Sequence, residues 1–470
     1  MNNTRNIVIV GGGITGLSAA YYLQKEIKQK NLPYTVKLVE AGDHLGGKIQ
    51  TVKKDGFTIE RGPDSFLERK KSAGKLAEEL GMTDQLVRNG TGQAYILVRN
   101  KLHKMPKGSY MGVPTQMKPF LFSSLLSLPG KLRTTLDFFI PKSKEKDDQS
   151  LGSFFRRRFG NELVENLLEP LLSGIYSGDI DKMSLMATFP NFHELEQTHR
   201  SLIKGLRTTM PERKRNTGKK SGQFLAFKNG FESVVDELKR RLNKENIISL
   251  NKVLDHVEKK EQGYHLLLSN GEVYKADTVI MATPHSALPK VFSQYDIFKK
   301  FHDIPMSSVA NVALAFDQSA IKKDVNGTGF VVSRNSNFRI TACTWTHKKW
   351  PHTTPEGKVL LRCYVGKPND QEIVGFSDEQ ITNIVLKDLK KTLKIKGEPA
   401  FTVVTRWKNV MPQYTVGHTE RIAKVRQEMS EQLPGVFLAG SSYEGVGIPD
   451  CITQGEQAVE NVLAFLQKKA

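Results

Sequence analysis

The chain has 470 residues, too many for one hydrophobic core, so about two to three domains are expected. Its formal net charge of +20 points to nucleic acid, an anionic membrane surface or an acidic substrate. Lys and Arg are spread along the chain, however, with clusters only at Arg156–Arg158 and Arg213–Lys220, which argues against a single nucleic-acid stripe. The three cysteines, Cys343, Cys363 and Cys451, fit neither metal-ligand spacing nor a disulfide framework, so no metal and a reducing, cytoplasmic compartment are expected. The apolar run at the N-terminus is too short and too glycine-rich for a secretory signal, and no stretch approaches the ~18 apolar residues of a membrane span.

The chain opens on N-I-V-I-V-G-G-G-I-T-G, Asn6 to Gly16. Ile7 to Val10 are an apolar, β-branched run, as a strand buried on both faces requires. Gly11, Gly13 and Gly16 fit G-x-G-x-x-G: a tight turn, a close approach for a pyrophosphate, and close packing of helix on strand. A helix over about Ile14 to Lys25 turns its N-terminus to the phosphates. A second strand, Thr35 to Val39, ends in Glu40, whose carboxylate can accept from a ribose diol. Strand, glycine turn, helix and acidic strand end together predict an adenine dinucleotide.

Gly46-Gly47 then brings backbone amides close to a ligand, with the charge of Lys48 beside them. A nicotinamide enzyme has no need of this second pair, whereas a flavoprotein that buries an extended dinucleotide does. Phe57 to Glu60 is a short strand, and Arg61-Gly-Pro-Asp-Ser-Phe66 a fixed turn with free amides. Ser72 to Gly81 is an amphipathic helix with a C-terminal glycine. From Met105 to Thr217 the pattern is mostly helical. Pro119 to Ile140 is its most lipid-like part, broken by Pro129-Gly130. An ordinary helical core is expected there, with a membrane-surface segment or channel wall as the alternative. Glu212 to Lys220 has no apolar residue and is expected to be a mobile loop.

The α/β pattern returns with a helix at Phe231 to Leu242 and strands near Asn251–Val257, Tyr264–Leu268 and Thr278–Ala282, the last resuming the first sheet. Further strands are predicted at Ser308–Phe316, Gly329–Val332, Phe338–Trp345 and Val359–Val365. At the far end, Val436 to Ala439 is a buried strand, Gly440, Gly445 and Gly447 make a loop, and a helix starts near Asp450, with Asp450 as N-cap. Its dipole can stabilise negative charge such as builds on the N1/O2 edge of a reduced flavin.

Over nearly its full length the sequence resembles the protoporphyrinogen oxidase branch of the flavin amine oxidase superfamily, nearest the Gram-positive coproporphyrinogen III oxidases. The match is carried by Gly11–Gly16, Glu40-Ala41, Gly46-Gly47-Lys48, Glu60–Phe66, Glu169–Ile175, Arg406-Trp407, Met411–Tyr414, His418 and Gly445–Asp450. His44 departs from it, since the family usually has arginine before the glycine pair.

The resemblance implies an α/β, multidomain fold. A discontinuous Rossmann-like FAD-binding domain takes residues 1–60, 225–285 and 406–470, and a mixed-sheet substrate domain takes 61–104, 205–224 and 286–405. Residues 105–204 form an inserted helical domain that in relatives lies on the membrane. It implies non-covalent FAD, with contacts from Gly11, Gly12, Gly13, Ile14, Thr15, Gly16, Glu40, Ala41, Gly47, Lys48, Gly62, Pro63, Asp64, Ser65, Val253, Trp407, Val446, Gly447 and Ile448. Lys70, Lys71 and Ile175 are the substrate candidates, the lysines for the propionates.

The implied reaction is the six-electron oxidation of coproporphyrinogen III to coproporphyrin III in heme biosynthesis, with dioxygen as acceptor and three hydrogen peroxides formed. Hydride loss from a saturated meso carbon leaves a cation spread over two pyrroles, so orientation against flavin N5 matters more than a strong acid or base. No catalytic base is identified, in keeping with the lack of a Ser/His/Asp set, a Cys/His pair or a metal cluster. Protoporphyrinogen IX, an amine and a carotenoid are the competing substrates, and duplex nucleic acid is a competing partner on charge alone. At most a peripheral membrane contact is expected, with transient contact with neighbouring heme-pathway enzymes.

Overall fold

The structure, a computed structural model, describes residues 4–144, 147–209 and 222–468. The expected loop at Glu212 to Lys220 lies outside the described residues.

Ile7 to Val10, buried throughout, form the middle strand (Arg5–Val10) of a five-stranded parallel sheet. In sheet order the strands are Ile248–Ser249, Tyr34–Val39, Arg5–Val10, Thr278–Met281 and Val436–Leu438. Strands from the start, middle and end of the chain thus share one sheet, with Val8 opposite Val279 and Val279 opposite Val436. Burial on both faces explains their continuous apolar runs. One face is covered by the helices Ile14–Lys30, Glu232–Asn243 and Ile448–Lys468, through Leu17, Leu23, Leu238, Val459 and Val462. The other packs on the antiparallel sheet of Leu254–Lys259, Tyr264–Leu268 and Val273–Ala276 and on the helix His418–Gln432.

A second, seven-stranded sheet is mixed. Its order is Phe401–Pro412, Met306–Asp317, Lys358–Val365, Ile340–Trp345, Gly329–Val332, Tyr95–Val98 and Lys101–Lys104. All neighbours are antiparallel except Gly329–Val332 with Tyr95–Val98. Phe401–Pro412 runs across the boundary expected at 405/406. Tyr95–Val98 and Lys101–Lys104 carry no turn signal beyond Arg99-Asn100, both at positive φ, and pattern reading passed over them.

Between Met117 and Thr209 the chain is a helical layer whose core contains Phe154, Phe155, Leu163, Leu172 and Phe192. Here one expectation fails. In Pro119 to Ile140 only part of the apolar set faces that core: Phe120, Leu125 and Leu126 are buried, whereas Leu121, Phe122, Leu128, Leu132, Leu136 and Phe139 are exposed. Pro129 stands in the first turn of Leu128–Thr135, and the short elements around it present one side inward and an equally apolar side outward. The Arg156–Arg158 cluster is taken up by ion pairs within this layer. Arg158 is fully buried and bonds Asp137 and Glu196, while Arg157 bonds Glu196 and Arg156 pairs with Asp181. No helix among the described residues is long and apolar enough to cross a membrane.

Candidate active site

The site begins where the strand Arg5–Val10 ends. A Cβ at Gly16 would lie 1.9 Å from Gly11 O, so the helix Ile14–Lys30 can approach the strand end only with glycine there. Gly13 differs: a Cβ there would meet nothing within 4 Å. That room lies at the N-terminus of a 17-residue helix with no acidic residue in its first turn, a cradle suited to an anion. Gly12 is buried, as are Ile14 and Thr15 behind the turn.

Glu40 follows the neighbouring strand. Its Oε2 accepts Gly12 N at 2.6 Å and its Oε1 accepts Gly42 N at 2.8 Å. The carboxylate therefore organises the glycine turn, and its remaining lone pairs are what it can offer a diol. Ala41, beside it, is exposed. Lys252 N donates to Glu40 O at 2.9 Å and thereby sets the exposed Val253 next to this edge. His44 bonds Asp43 at 2.8 Å and approaches Gln50 at 3.0 Å, away from the turn's backbone.

The second glycine pair is tied to the first. Gly46 N donates to Gly12 O at 2.8 Å, and Gly46 bridges Gly13, with Gly47 directly after it. Lys48 donates to Val410 O at 3.1 Å and to Ser441 Oγ at 3.2 Å. Both acceptors are neutral, no ion pair of the described residues includes Lys48, and burial lowers its pKa. A partly desolvated ammonium without a carboxylate is costly unless an anionic or electron-rich group completes it.

The turn Arg61–Ser65 closes over Lys48. A Cβ at Gly62 would fall 1.8 Å from Lys48 O and 3.8 Å from the Trp407 ring. Trp407 Nε1 donates to Arg61 O at 2.9 Å, and Asn311 Nδ2 reaches Glu60 O and Arg61 O, each at 3.3 Å. Pro63 is half-buried within the turn. Asp64 is turned away toward Lys349, at 2.9 and 3.0 Å, and Ser65 Oγ bonds it at 2.8 Å. Burial pushes the Asp64 carboxyl up, but Lys349 and Arg362 outweigh this and hold it below the usual carboxylate range.

From the far end of the chain come Val446, Gly447 and Ile448, all half-buried. The last helix begins at Ile448, so Pro449 and Asp450 lie inside its first turn and Asp450 is not the N-cap. Its carboxylate instead fills the space that side chains at Gly445 and Gly447 would need.

Residues 14–463 match the model of the flavin-containing amine oxidoreductases. The chain belongs to that family. A coproporphyrinogen III oxidase of Bacillus subtilis strain 168 is 54% identical over 98% of each chain, and one of Staphylococcus aureus is 44% identical over 98% of this chain and 100% of that one. A crystal structure from Exiguobacterium sp. 255-15, provisionally named a protoporphyrinogen oxidase, superposes with a TM-score of 0.87 at 38% identity over 99% of this chain and 100% of that one.

As a member of the flavin-containing amine oxidoreductases, the chain uses FAD. Its residues fit that cofactor: the room at Gly13 suits the pyrophosphate, Glu40 the ribose edge, and Lys48 an electron-rich ring system. The helix Glu169–Tyr176, which carries the substrate candidate Ile175, lies against the loop before the last helix. Tyr176 packs on Tyr414, with ring centroids 5.5 Å apart, and Tyr414 donates to Ser441 O at 2.6 Å. Ile175 on that helix is exposed, as is Lys71 at the start of Lys71–Glu79. Lys70 is not a free cation: its Nζ lies 2.6 Å from both oxygens of Asp450. Two buried imidazoles bond the same loop before the last helix. His285 bonds Ser442 Oγ and Ile304 O, and His418 bonds Tyr443 O. Burial lowers both pKa values, that of His418 to about 4, so both are neutral near pH 7.

Pattern reading missed Asn311, Ser441 and Val410. Asn311 was findable, as the one amide inside the otherwise small and apolar run S-V-A-N-V-A-L-A-F. Ser441 follows a parallel strand's C-terminal end, where ligands sit in such sheets. Val410 contributes only its carbonyl and leaves no sequence signal.

Proposed function

We propose that this enzyme oxidises coproporphyrinogen III to coproporphyrin III, with FAD as immediate acceptor and dioxygen as terminal acceptor. The observation that carries the reading is full-length 54% identity to a protein of that name, with the cradle's residues present in this chain. FAD supplies a two-electron acceptor, so removal of six electrons takes three rounds. Three dioxygens are consumed and three hydrogen peroxides released per porphyrin.

The chain's own part is positioning. The glycine turns at Gly11–Gly16 and Gly46-Gly47, with Glu40, Lys48 and the Arg61–Ser65 turn, hold the cofactor. Val253, Trp407 and Val446–Ile448 complete its walls. The face carrying Ile175 and Tyr176 orients the tetrapyrrole against it and excludes water, while Lys71 meets a propionate. His285 and His418, neutral and already bonded to protein atoms, take no proton from the substrate. The donor needs none taken by a strong base, because its developing cation is delocalised over two pyrroles. The cofactor segments are 1–60, 225–285 and 406–470, the substrate segments 61–104, 205–224 and 286–405, and residues 105–204 make a peripheral lipid contact through the exposed side chains near Phe122.

An aerobic assay of coproporphyrinogen III beside protoporphyrinogen IX tests the reading. Porphyrin fluorescence should rise faster with the tetrapropionate, with three peroxides per porphyrin. Each additional propionate can form a charge-assisted bond of about 1.5–3 kcal/mol before desolvation, so several-fold discrimination in kcat/KM is expected. Preference for protoporphyrinogen IX would reassign the substrate, and no porphyrin above autoxidation would end the proposal.

A further inference from the structure

Behind the Arg61–Ser65 turn lies a buried ionic network that the reaction above leaves unused. Alternation along the strand Lys358–Val365 puts Leu360, Arg362 and Tyr364 on one face. That face covers the hairpin of Thr51–Lys54 and Phe57–Glu60, through Leu360, Phe57 and Ile59. Arg362, opposite Ala313 and Thr344 in the middle of the seven-stranded sheet, is fully buried there. Its Nη2 donates to Gly62 O at 2.6 Å, and its Nη1 lies 3.3 Å from Asp64 Oδ2. Nε and Nη1 have no acceptor in good hydrogen-bond geometry. Lys349 Nζ reaches the same Oδ2 at 2.9 Å and Asp64 Oδ1 at 3.0 Å. Glu60 closes the group, accepting Phe231 N at 2.8 Å and Thr51 Oγ1 at 2.9 Å. Glu60 forms no ion pair among the described residues, so neither cation is neutralised by it directly, and burial raises its pKa to about 7.

Arg362, fully buried, and Lys349, half-buried, therefore share one ion-paired carboxylate, Asp64, directly behind a turn whose other side covers Lys48. A core brace alone would not need this, since a buried ionic group is often replaceable by apolar packing with no loss of stability. We propose that Arg362 is a positioning residue for the cofactor: it clamps the Gly62 carbonyl from the substrate sheet and, with Lys349, leaves a net positive field behind the turn that makes the bound acceptor easier to reduce. This rests on the cofactor reading above, which puts the Arg61–Ser65 turn against FAD.

The test uses the holoenzyme and its Arg362→Met, Arg362→Lys and Lys349→Met variants. It measures FAD dissociation constant by flavin fluorescence, midpoint potential by dye-coupled reduction, and Tm. Arg362→Met should weaken FAD about tenfold or more, the loss of one charge-assisted bond, and move the potential to more negative values. Arg362→Lys keeps the charge but not the planar fork, so it should weaken FAD while leaving the potential near that of the parent. Lys349→Met, at a less buried position, should lower the potential and change FAD affinity less than twofold; it carries the test if Arg362→Met does not fold. Variants that lose only Tm, with parental FAD affinity and potential, would overturn the proposal and leave Arg362 a core brace. A colourless parent protein would instead sink the cofactor reading, and this proposal with it.

Discussion

Gly13 and Gly16 are three residues apart and have opposite jobs. The space around Gly13 is open, so a side chain there should leave the fold intact and compete only with the ligand. Gly13→Val should yield a folded protein with a Tm within a few degrees of the parent that is purified without FAD; a yellow Gly13→Val protein would disprove the cradle. Gly16→Ala puts a methyl against Gly11 O and should lower Tm itself, whether or not FAD is supplied. His418 gives a residue-scale test in pH. Its Nε2–H donates to Tyr443 O, its Nδ1 is buried without a partner, and its ring stacks on Tyr414 at 4.2 Å. Protonation at Nδ1 would bury a charge, and burial lowers the pKa from 6.5 to about 4. The unfolded chain therefore binds more protons between those values. The contribution to stability is complete above pH 6.5 and is lost as pH falls toward 4. Between pH 8 and 5 that loss is about 2 kcal/mol, at ~1.4 kcal/mol per unit below 6.5. His418→Phe should be less stable at pH 8, through the lost bond to Tyr443, yet show a shallower acid slope in urea titrations. Parallel acid slopes for parent and variant would place the acid sensitivity elsewhere.

At the level of elements, the helical layer is held by a buried charge cluster. Arg158 Nε donates to Asp137 Oδ1 at 2.6 Å, and its Nη1 reaches Glu196 at 3.2 Å. Asp137 Oδ2 also accepts Ser201 Oγ at 2.6 Å and Ile203 N at 3.0 Å. One guanidinium thus ties the turn Leu136–Phe138 to the helices Leu151–Phe159, Pro190–His199 and Leu202–Thr209. Arg158→Met should cost about 3–5 kcal/mol, because it leaves the buried Asp137 carboxylate without its cation and Glu196 with Arg157 alone. A urea-midpoint change equivalent to less than 1 kcal/mol would show that the layer relaxes around the loss. The sequence displayed three adjacent arginines but not which of them turns inward, because that is decided by a partner 21 positions earlier, at Asp137, and one 38 later, at Glu196. The same division runs through the molecule. Local grammar was legible: Gly11 to Gly16, the strand Phe57–Glu60 at its observed bounds, and Tyr264–Leu268 likewise. What was illegible came from distant pairing. Lys70 looked like a free cation until the last helix brought Asp450 to it, and Asp450 looked like an N-cap until that helix was seen to start at Ile448.

Across the whole molecule, a formal charge of +20 coexists with one conspicuous apolar surface. Phe122 is 90% exposed and Phe139 75%, with Leu121 exposed just before them and Leu128, Leu132 and Leu136 exposed between them. Exposed Lys118, Lys142 and Lys144 flank them in sequence. Scattered exposed leucines need no explanation, but six large apolar side chains exposed within 19 residues do. An anionic bilayer surface would satisfy both features, with the rings in the headgroup boundary and the lysines at the phosphates. The two contributions have different signatures. Burying a Phe ring contributes about 1.5–3 kcal/mol and is insensitive to salt, whereas each lysine contributes about 1 kcal/mol that is screened over a Debye length. The protein should therefore cosediment with phosphatidylglycerol vesicles at low ionic strength, bind more weakly at 0.5 M salt, and bind poorly to phosphatidylcholine alone. Phe122→Ser with Phe139→Ser should weaken binding by at least tenfold at either ionic strength, with coproporphyrinogen turnover in detergent-free buffer unchanged. Binding that salt abolishes but the double substitution leaves untouched would mean that charge alone makes the contact, and that this surface faces something other than lipid.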